Sequence, residues 1–484
     1  MGNTKTKEKR KTTKLEAISL LVVMIVLFGG GSILGMNYVP LMIVVAAYSC
    51  FITMRCGYTW KEVETAISNR IGKAVPVLSI FLGVGLLVGA LMFSGTIPML
   101  IYYGVQIVSA KWIYLCAYLL CALFSILTGT SNGSVSTAGL AMMSIGLAMD
   151  DVKLGMLAGA ILCGATIGDK LSPLSDTTIM AAAVTDNDVM DHIKHQAKVV
   201  LPAAAITLVI YVVTGLLSPV DGSTLNETSQ GLITSMDMLY KWSWILLLPA
   251  LVVVLGSVKG ISTTVTLVAA SALALFIGVF YQGFDIADGV KTLYQGFACK
   301  MAAAGNPDLN VDLLSAETLS LLQRGGITSM TKPFITVFIC FYFAATAEMA
   351  GTMEVLLDMI SGFVKNTFTL ILSSGLAMVL LECVCGSSTP STAIAGPLFK
   401  KKYEDMGLHS LNLAREIEDF GTGTTAFIPW SSSGQLYVGI LGVSTFEFFK
   451  YSYLNWFIWI IALFYAATGI GIKKLDKKEE TVQA

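Results

Sequence analysis

Long apolar segments recur along almost the whole chain, and this feature restricts the possible folds more than any other. A helix that crosses a bilayer needs about 20 mostly apolar residues. Apolar segments, some of them too long or too short for a simple span, lie at 17–35, 37–54, 74–104, 112–129, 134–148, 152–186, 196–217, 241–257, 260–282, 330–360, 367–385, 390–399, 408–445 and 452–472. The sequence therefore predicts an all-α polytopic membrane protein.

The composition excludes several other classes of protein. Of the 484 residues, 55% are hydrophobic and 13% are charged, whereas soluble domains carry about 25% charged residues. The 31 basic residues are matched by 32 acidic ones, so no cationic surface for a nucleic acid is predicted. The apolar content is too high for a disordered protein. The nine cysteines lie mostly in apolar runs and have no metal-ligand spacing with the three histidines.

Two kinds of polar interruption break the apolar pattern of the first half. The stretch 112–148 has a polar tip at 128–137 between two apolar arms, which predicts a re-entrant hairpin. The stretch 152–186 is interrupted at 168–173, where a proline removes a backbone donor and a glycine loosens the helix. Non-helical backbone at membrane depth persists only where protein or a wet cavity satisfies it. Each interruption is therefore a candidate binding site.

The same layout recurs 256 positions later in the chain. The features that align without a gap are Gly95 and Gly351, Ser131 and Ser387, Pro173 and Pro429, and the spans 197–217 and 453–473. Each half then has about five transmembrane helices and one re-entrant hairpin. Because five crossings is an odd number, we predict two inverted repeats with broken helices at the midplane.

The basic residues set the predicted orientation, because cytoplasmic loops carry an excess of Lys and Arg. With both termini in the cytoplasm, most Lys and Arg residues lie on the cytoplasmic side. The run 17–35 is predicted to be a retained first helix, and the chain is expected in a bacterial inner membrane. The predicted order is a basic cytoplasmic N-tail (1–14), a first transmembrane repeat (15–220), an external linker (221–240), a second repeat (241–473, with a long loop or interfacial helix at 283–329) and a cytoplasmic C-tail (474–484).

Asp169 and Asp176 form the densest candidate site, around the first helix break. They are seven residues apart, or two helical turns, so a continuous helix would carry them on one face. Carboxylate, hydroxyl and carbonyl oxygens together suit a hard cation such as Na+. A carboxylate in a low dielectric also binds a proton more readily, so a proton can compete with the cation. The alternative is that Asp169 pairs locally with Lys170 and that Asp176 only caps a half-helix.

The second break has polar oxygens like the first break, but it has no charged residue at the positions that match the two aspartates. Thr425 stands at the position of Asp169, and Ser432 stands at the position of Asp176. We therefore predict that one half supplies charge and the other supplies neutral oxygens. The predicted supporting ligands at both breaks and both tips are Ser172, Thr177, Thr178, Ser131, Asn132, Ser387, Thr389, Thr422, Thr424, Thr425, Ser431 and Ser432. Each hydroxyl has the alternative role of an interhelical hydrogen bond.

Two acidic residues outside the first break are candidate proton relays. Glu348 is predicted to lie deep in the span 330–360, and Asp419 lies just before the second break. The alternative for Asp419 is a solvated acidic helix start at 416–419. His192 and His195 are expected in a solvated basic loop, with pH sensing as the alternative role.

The segment 168–178, Gly-Asp-Lys-Leu-Ser-Pro-Leu-Ser-Asp-Thr-Thr, resembles the signature of the NhaC family of Na+/H+ antiporters. This family includes the MleN-type malate/lactate antiporters. Further resemblance lies at 57–62, 94–104 and 428–434, and the match extends over roughly 50–470. Because the family belongs to the ion transporter superfamily, the resemblance implies inverted repeats, paired hairpins and unwound helices around a midplane site. It also implies Asp169 and Asp176 as the matching acidic positions.

The second hairpin tip departs from the family pattern. The segment 385–392 is unusually rich in hydroxyls and contains a proline. The tip residues Ser131 and Asn132 are also similar to the Ser-Asn tips of dicarboxylate carriers in the same superfamily. These departures leave the substrate open and do not affect the predicted fold.

These residues favour a secondary transporter in which inward protons drive Na+ out by alternating access. Asp169 and Asp176 would alternate between protonated and cation-bound states. The alternative is an organic-anion exchanger coupled to Na+ or H+, of the malate-H+/Na+-lactate type, although no intramembrane Arg is available to bind a carboxylate. The predicted partners are Na+, H+ and the lipid bilayer, with small organic acids and a second copy of the chain as further candidates.

Two functions from other classes fit the sequence less well. An intramembrane aspartyl protease carries a Gly-x-Gly-Asp motif, but Thr166 occupies its first glycine position. Both aspartates also lie on one broken helix. A channel is disfavoured because two hairpins that converge on a buried site suit occlusion better than a continuous pore. We predict no enzymatic activity, no nucleic-acid binding, no cofactor and no metal other than transported Na+.

Overall fold

The computed structural model describes residues 9–475 except 35, 150, 218–226, 307–310, 312, 313 and 315. Within this part of the chain the fold is all-helical, and β-structure is limited to one isolated bridge between Leu408 and Lys474. The prediction of an all-α protein is thereby confirmed for these residues. The outer parts of the predicted tails (1–8 and 476–484) and the first part of the predicted linker (221–226) lie outside the described residues.

The α-helices before the predicted linker include long spans and short pieces. They are α1 (Lys14–Ile33), α2 (Tyr38–Arg55), α3 (Trp60–Ser94), α4 (Thr96–Ile107), α5 (Ile113–Thr128), α6 (Ser131–Ser134), α7 (Leu140–Leu147), α8 (Leu154–Leu171), α9 (Asp176–Val184) and α10 (Val189–Leu217). A π-helical turn, Val135–Gly139, joins α6 to α7.

The second part of the chain follows a similar order. Its helices are α11 (Glu227–Leu239), α12 (Leu248–Val258), α13 (Thr263–Ile277), α14 (Ile286–Gln295), α15 (Ala316–Leu322), α16 (Thr331–Met349), α17 (Thr352–Ser361), α18 (Thr367–Cys385), α19 (Ser388–Asp405), α20 (Ser410–Ile417), α21 (Gly423–Thr425), α22 (Ser432–Leu441), α23 (Thr445–Phe449) and α24 (Tyr453–Thr468). The π-helical segment Glu418–Thr422 continues α20 into α21.

Eight helices among the described residues are long and apolar enough to cross a membrane. The number rises to nine if Gln230–Leu239 and Trp244–Gly256, which meet at a bend of 99°, form one broken span. The eight are Lys14–Gly31, Tyr38–Arg55, Trp60–Ser94, Leu154–Leu171, Val189–Leu217, Thr263–Gln282, Ile327–Met349 and Thr367–Cys385. The chain is accordingly a multi-pass membrane protein.

The predicted span 74–104 is divided between two helices. α3 begins earlier than the apolar run because Thr59 and Glu62 form a capping box that starts the helix in polar sequence. It ends at Gly95, whose φ of 87° lies in the left-handed region that favours glycine. Gly351 has a φ of 68° and separates α16 from α17 in the same register. The paired glycines therefore mark real helix breaks.

The helix breaks predicted 256 positions apart occur as local structure, and the chain turns at both predicted hairpin tips. The α8–α9 pair is interrupted at 172–175, and the α21–α22 pair is interrupted at 426–431. Gly129 turns the chain from α5 into α6, and Gly386 turns it from α18 into α19. The opposite orientation of the two halves and the depth of the hairpins in the bilayer stay predictions.

Close backbone packing holds the first break against the first hairpin. Gly164 and Gly168 on α8 face α5, so a Cβ on Gly168 would lie 2.1 Å from the backbone nitrogen of Ile126. The Ser125 hydroxyl donates to the carbonyl oxygen of Ala165 across the same contact. Small residues four apart allow helices in membranes to approach this closely. The backbone of α5 thereby fixes the end of α8.

The predicted long loop at 283–329 contains helices that pack onto α3. α14 contacts α3, and Gly325 and Gly326 approach the backbone of Gly85 and Gly89. A Cβ on Gly89 would lie 2.6 Å from the carbonyl oxygen of Thr292. This segment is therefore part of the helix packing around α3.

Candidate functional site

The hairpin tips and the helix breaks of both halves surround one cavity of about 160 Å³. Since a water molecule needs about 10–15 Å³ of such space, the cavity has room for several waters or a partly hydrated cation. The predicted site residues that line it are Ser131, Asn132, Asp169, Asp176, Thr177, Ser387, Thr389, Thr422 and Ser432. Further lining comes from Thr130, Ser388 and Ser433 and from the apolar side chains of Val77, Ile80, Phe81 and Leu436.

Asp169 is the buried carboxylate of this cavity. It lies in the last turn of α8 and is 4% exposed. Its Oδ2 accepts a hydrogen bond from the Ser131 hydroxyl at 2.7 Å, and its Oδ1 accepts one from the Ser175 hydroxyl at 2.9 Å. An ionised carboxylate has about four acceptor sites, so two neutral donors leave capacity for a cation or a proton. The buried position makes such a ligand favourable.

Asp176 lines the same cavity in a more open position. It is the first residue of α9, directly after the break, and its side chain is exposed. Its Oδ1 accepts a hydrogen bond from the Thr177 backbone N–H at 3.1 Å. The positive end of the α9 dipole favours a negative charge at this place. The break thus brings both aspartates to one cavity and gives them different surroundings.

Two of the predicted ligands at the first break hold its backbone together. The Thr178 hydroxyl donates to the carbonyl oxygen of Asp169 at 2.9 Å, and the Ser172 hydroxyl donates to that of Ile126 at 3.3 Å. Neither residue lines the cavity. Ser175 is the N-cap of α9 and accepts a hydrogen bond from the Thr178 N–H. The Thr178 hydroxyl therefore satisfies a carbonyl oxygen at the end of α8, and the Ser172 hydroxyl connects the break to α5.

The second break is built in the same register. Ser431 caps α22 as Ser175 caps α9, and it accepts a hydrogen bond from the Gly434 N–H at 2.9 Å. Its own hydroxyl donates to the carbonyl oxygen of Thr425 at 2.5 Å. Thr424 is buried, and its hydroxyl has no hydrogen-bond partner among the described residues. Ser431 and Thr424 stand outside the cavity lining.

A glutamate that the sequence analysis did not place at the site lies beside the second break. Glu382 on α18 is fully buried, and its Oε2 accepts a hydrogen bond from the Thr425 hydroxyl at 2.6 Å. Glu382 does not line the cavity, so the prediction that the second half supplies neutral oxygens to the site stays a prediction. The second half nevertheless holds a buried carboxylate on α18, behind the hydroxyl of Thr425.

The two hairpin tips contribute differently to the cavity. The Tyr437 hydroxyl, on α22, donates to the hydroxyl of Ser131 at 3.0 Å and so links the first tip to the second half. The side-chain oxygen of Asn132 is buried and has no partner among the described residues. Ser387 is the N-cap of α19, and Thr389 is exposed at its start. Tyr437 was missed because a tyrosine in an apolar segment carries no distinct sequence signal.

Five charged side chains form a buried cluster next to the cavity. The Lys170 ammonium donates to the carbonyl oxygen of Glu418 and lies 3.9 Å from its Oε2. Arg415 pairs with Glu416 at 2.7 Å and lies 3.9 Å from Asp419. All five are buried. The alternative of a solvated acidic helix start at these positions is therefore wrong, and each buried charge has an opposite partner.

Polar groups on α10 extend this buried cluster. Gln196 donates to Asp419 Oδ1 at 2.6 Å. His195 Nε2 lies 3.2 Å from Asn412 Oδ1, and neither ring nitrogen of His192 has a partner among the described residues. Both histidines are buried, so the predicted solvated loop is wrong here. α10 begins before them and turns both rings into the protein.

Glu348 does not occupy the deep position predicted for it. α16 ends one residue later, and the Glu348 side chain is 55% exposed. Its Oε2 lies 3.3 Å from the Arg70 guanidinium. The Gly351 break ends the helix within the apolar run, which the hydropathy pattern does not reveal. This geometry gives no support to a relay at Glu348, whereas Asp419 is buried.

The donor set of the cavity consists of oxygen atoms. Among the described residues, no three His, Cys, Asp or Glu side chains are grouped to hold a metal ion. All nine cysteines are free. Carboxylate and hydroxyl oxygens are the ligands that hard cations prefer.

Comparisons with known proteins show the family to which the chain is similar. The chain matches the profile of the Na+/H+ antiporter family over residues 7–216 and 164–470. It is 34% identical over 476 residues to an "Uncharacterized Na(+)/H(+) antiporter" of Haemophilus influenzae, which covers 98% of this chain and 99% of that one. It is 32% identical to a malate-2H(+)/Na(+)-lactate antiporter of Bacillus subtilis over 87% and 88% of the two chains. It is 27% identical to the Na(+)/H(+) antiporter NhaC of Alkalihalophilus pseudofirmus over 96% of this chain and 98% of that one.

Proposed function

Because the chain belongs to the Na+/H+ antiporter family, we propose that it is a secondary transporter that moves Na+ out of the cell in exchange for protons. The observation that carries this proposal is the Asp169 carboxylate, which is buried at an oxygen-lined cavity between the two halves. The Ser131 and Ser175 hydroxyls stabilise it without neutralising it. A proton and Na+ therefore compete for the same oxygens, and this competition couples the two ions.

The proposed Na+ site combines charge from the first half with neutral oxygens from both. Asp169 supplies the buried charge, and Asp176 attracts the cation from the open side of the cavity. The proposed direct ligands are the cavity-lining oxygens of Ser131, Asn132, Thr177, Ser387, Thr389, Thr422 and Ser432. Ser172, Thr178 and Ser431 are proposed to hold the broken backbone, and Thr425 is proposed to hold the Glu382 carboxylate. Thr424 is proposed as a further supporting ligand, since its buried hydroxyl has no hydrogen-bond partner among the described residues. Asp419 is proposed as a relay through the buried cluster.

The proposed cycle is alternating access between two inverted repeats, 15–220 and 241–473. In each repeat a re-entrant hairpin and a broken helix would approach the midplane from opposite sides. The matching positions of the two breaks and of their serine caps support this arrangement. We further propose a bacterial inner membrane with both termini in the cytoplasm.

The second candidate is an organic-anion exchanger coupled to Na+ or H+. The relative from Bacillus subtilis that is named a malate-2H(+)/Na(+)-lactate antiporter favours it. So does the hydroxyl-rich second tip, where Ser387, Ser388 and Thr389 line the cavity. No basic side chain is among the cavity-lining residues that the structure describes, so a carboxylate would need bound Na+ as its partner.

The decisive experiment uses purified protein in liposomes with a trapped pH dye. Na+ is applied against a proton gradient, first alone and then with malate or lactate. Proton movement on Na+ alone is the expected result, and movement only with an organic acid would establish the second candidate. Asp169→Asn should abolish exchange, since the neutral amide cannot take up and release the proton. Asp176→Asn should raise the half-saturating Na+ concentration about tenfold and retain exchange, which corresponds to about 1.4 kcal/mol.

A further inference from the structure

Glu382 is a buried carboxylate to which the proposed exchange at Asp169 assigns no role. It lies on α18, one turn before the tip of the second hairpin, and is fully buried. Its Oε2 accepts the Thr425 hydroxyl at 2.6 Å, while its Oε1 is buried without a hydrogen-bond partner among the described residues. This oxygen faces Gly421, whose Cβ, if present, would lie 3.5 Å away. A buried ionised oxygen without a partner is costly, so the site favours a bound proton or a nearby cation.

A short chain of hydroxyls connects Glu382 to the cavity. Thr425 Oγ1 lies 2.5 Å from Ser388 Oγ, and Ser388 lines the cavity. At the first half, Ser131 of the hairpin tip contacts Asp169 directly. In both halves, therefore, a serine at a hairpin tip connects the cavity to a buried carboxylate. The second half inserts one threonine in between.

We propose that Glu382 is a second proton-exchanging carboxylate of the transport site, coupled to the cavity through Thr425 and Ser388. It holds a proton while the cavity lacks Na+ and releases that proton when Na+ binds. This inference rests on the proposed Na+/H+ exchange and assigns a further residue to it.

The coupling follows from the single proton that each hydroxyl carries. When Glu382 is ionised, Thr425 donates to it, so Ser388 must donate to Thr425 and presents its lone pairs to the cavity. When Glu382 is protonated at Oε2, this O–H donates to Thr425, Thr425 donates to Ser388, and the Ser388 proton points into the cavity. The first arrangement favours a cation beside Ser388, and the second opposes one. Protonation of Glu382 thus sets the cation affinity of the cavity wall without moving the backbone.

Few ionisable groups surround this carboxylate. The charge of Glu418, on the π-helical segment packed against α18, repels a negative charge on Glu382. Lys170 partly compensates the charge of Glu418. The thiols close to Glu382 are those of Cys383 and Cys385 on α18. No described basic side chain forms an ion pair with Glu382 under 4 Å, so its charge is balanced only by a proton or by the cation in the cavity.

The test counts protons released per Na+ bound by purified protein in weakly buffered detergent solution. Released protons are measured with a pH dye, and bound Na+ is measured with a radioactive tracer. Glu382→Gln should release one proton fewer per Na+ than the wild type, and its Na+ affinity should depend less on pH. The matched control is Glu354→Gln, because Glu354 is 61% exposed and pairs with Lys11 at the surface. This control should release the wild-type number.

The outcomes separate this inference from the function on which it rests. A wild type that binds Na+ without releasing protons overturns the proposed exchange, and the role of Glu382 falls with it. A wild type that releases protons, together with Glu382→Gln that releases the same number, overturns only the role of Glu382.

A second variant covers the case in which Glu382→Gln does not fold. Glu382→Asp keeps the acid, and infrared difference spectra with and without Na+ detect the loss of a protonated carboxyl group. In the wild type we expect two such bands, one from Asp169 that shifts when aspartate is isotopically labelled and one from Glu382 that shifts when glutamate is labelled. In Glu382→Asp the glutamate-sensitive band should be absent. A glutamate-sensitive band that persists in Glu382→Asp assigns the proton to another residue and refutes the proposal.

Discussion

Replacing Gly168 by alanine is the smallest change that tests the geometry of the candidate site. The new Cβ would lie 2.1 Å from the Ile126 nitrogen and 2.1 Å from the carbonyl carbon of Ser125. Because these are backbone atoms, no side-chain rotation relieves the overlap. α8 must move away from α5 by more than about 1 Å to restore an ordinary contact of about 3.5 Å. We expect the free energy of unfolding to fall by about 3 kcal/mol, the upper end of the usual range for overpacking.

The same displacement reaches the next residue, Asp169. Its hydrogen bond from Ser131 is 2.7 Å long, and a shift of about 1 Å takes it beyond the hydrogen-bonding range of about 3.0 Å for O–H donors. A hydrogen bond to a charged group contributes about 1.5–3 kcal/mol. We therefore expect the half-saturating Na+ concentration to rise at least tenfold.

The assay combines thermal unfolding in detergent with Na+-driven proton movement in liposomes. Gly72→Ala is the matched control, because its Cβ would meet no atom within 4 Å on a helix. It should keep the wild-type thermal midpoint and transport. If Gly168→Ala matched Gly72→Ala in both measurements, the close contact between α5 and α8 and the argument built on it would be refuted.

Two further predictions concern the charged residues. Lys170→Met should lower the free energy of unfolding by about 3–5 kcal/mol, because it leaves Glu418 buried without its cation. The double variant with Glu418→Gln should recover most of that loss in the same thermal assay. A double variant that recovers none of it would contradict the pairing of Lys170 with Glu418. Glu348→Gln should change stability by less than about 1 kcal/mol and leave transport unchanged, because the Glu348 side chain is 55% exposed. Loss of transport in Glu348→Gln would contradict this prediction and support a proton-relay role for Glu348.

Periodic and local signals in the sequence were sufficient for the helices, the breaks and much of the cavity. Pro173 and Pro429 lack the backbone N–H that would continue a helix, and each lies among polar residues. Pro76, Pro202 and Pro397 lie inside helices that continue past them, so the proline alone does not predict a break. Asp169 and Asp176 were predicted as site residues because a carboxylate next to a break in an apolar helix is difficult to explain by a purely structural role. Their difference in burial was not predictable, since it depends on the packing of α8 against α5.

The missed residues depend on contacts between segments distant in the chain. Glu382 and Thr425 are 43 positions apart, and Tyr437 meets Ser131 across 306 positions. His192 and His195 lie beside lysines and resemble a solvated loop, yet their helix turns them inward. In a hydropathy pattern, buried and solvated polar side chains alike are interruptions of an apolar run. Only the packed structure distinguishes a partnered buried charge from a solvated one.

The buried charge cluster has a consequence for the biogenesis of the protein. The segment around Arg415, Glu416 and Asp419 is not one of the described helices that are apolar enough to cross a membrane, and an Arg or Asp costs about 2.5–3.5 kcal/mol at the centre of an inserting helix. Two of its stabilising partners, Lys170 and Gln196, are synthesised more than 200 residues earlier. The translocon must therefore deliver the late segment to a first half that is already in place. The order in which the ribosome synthesises the two halves thus becomes part of how the site is assembled.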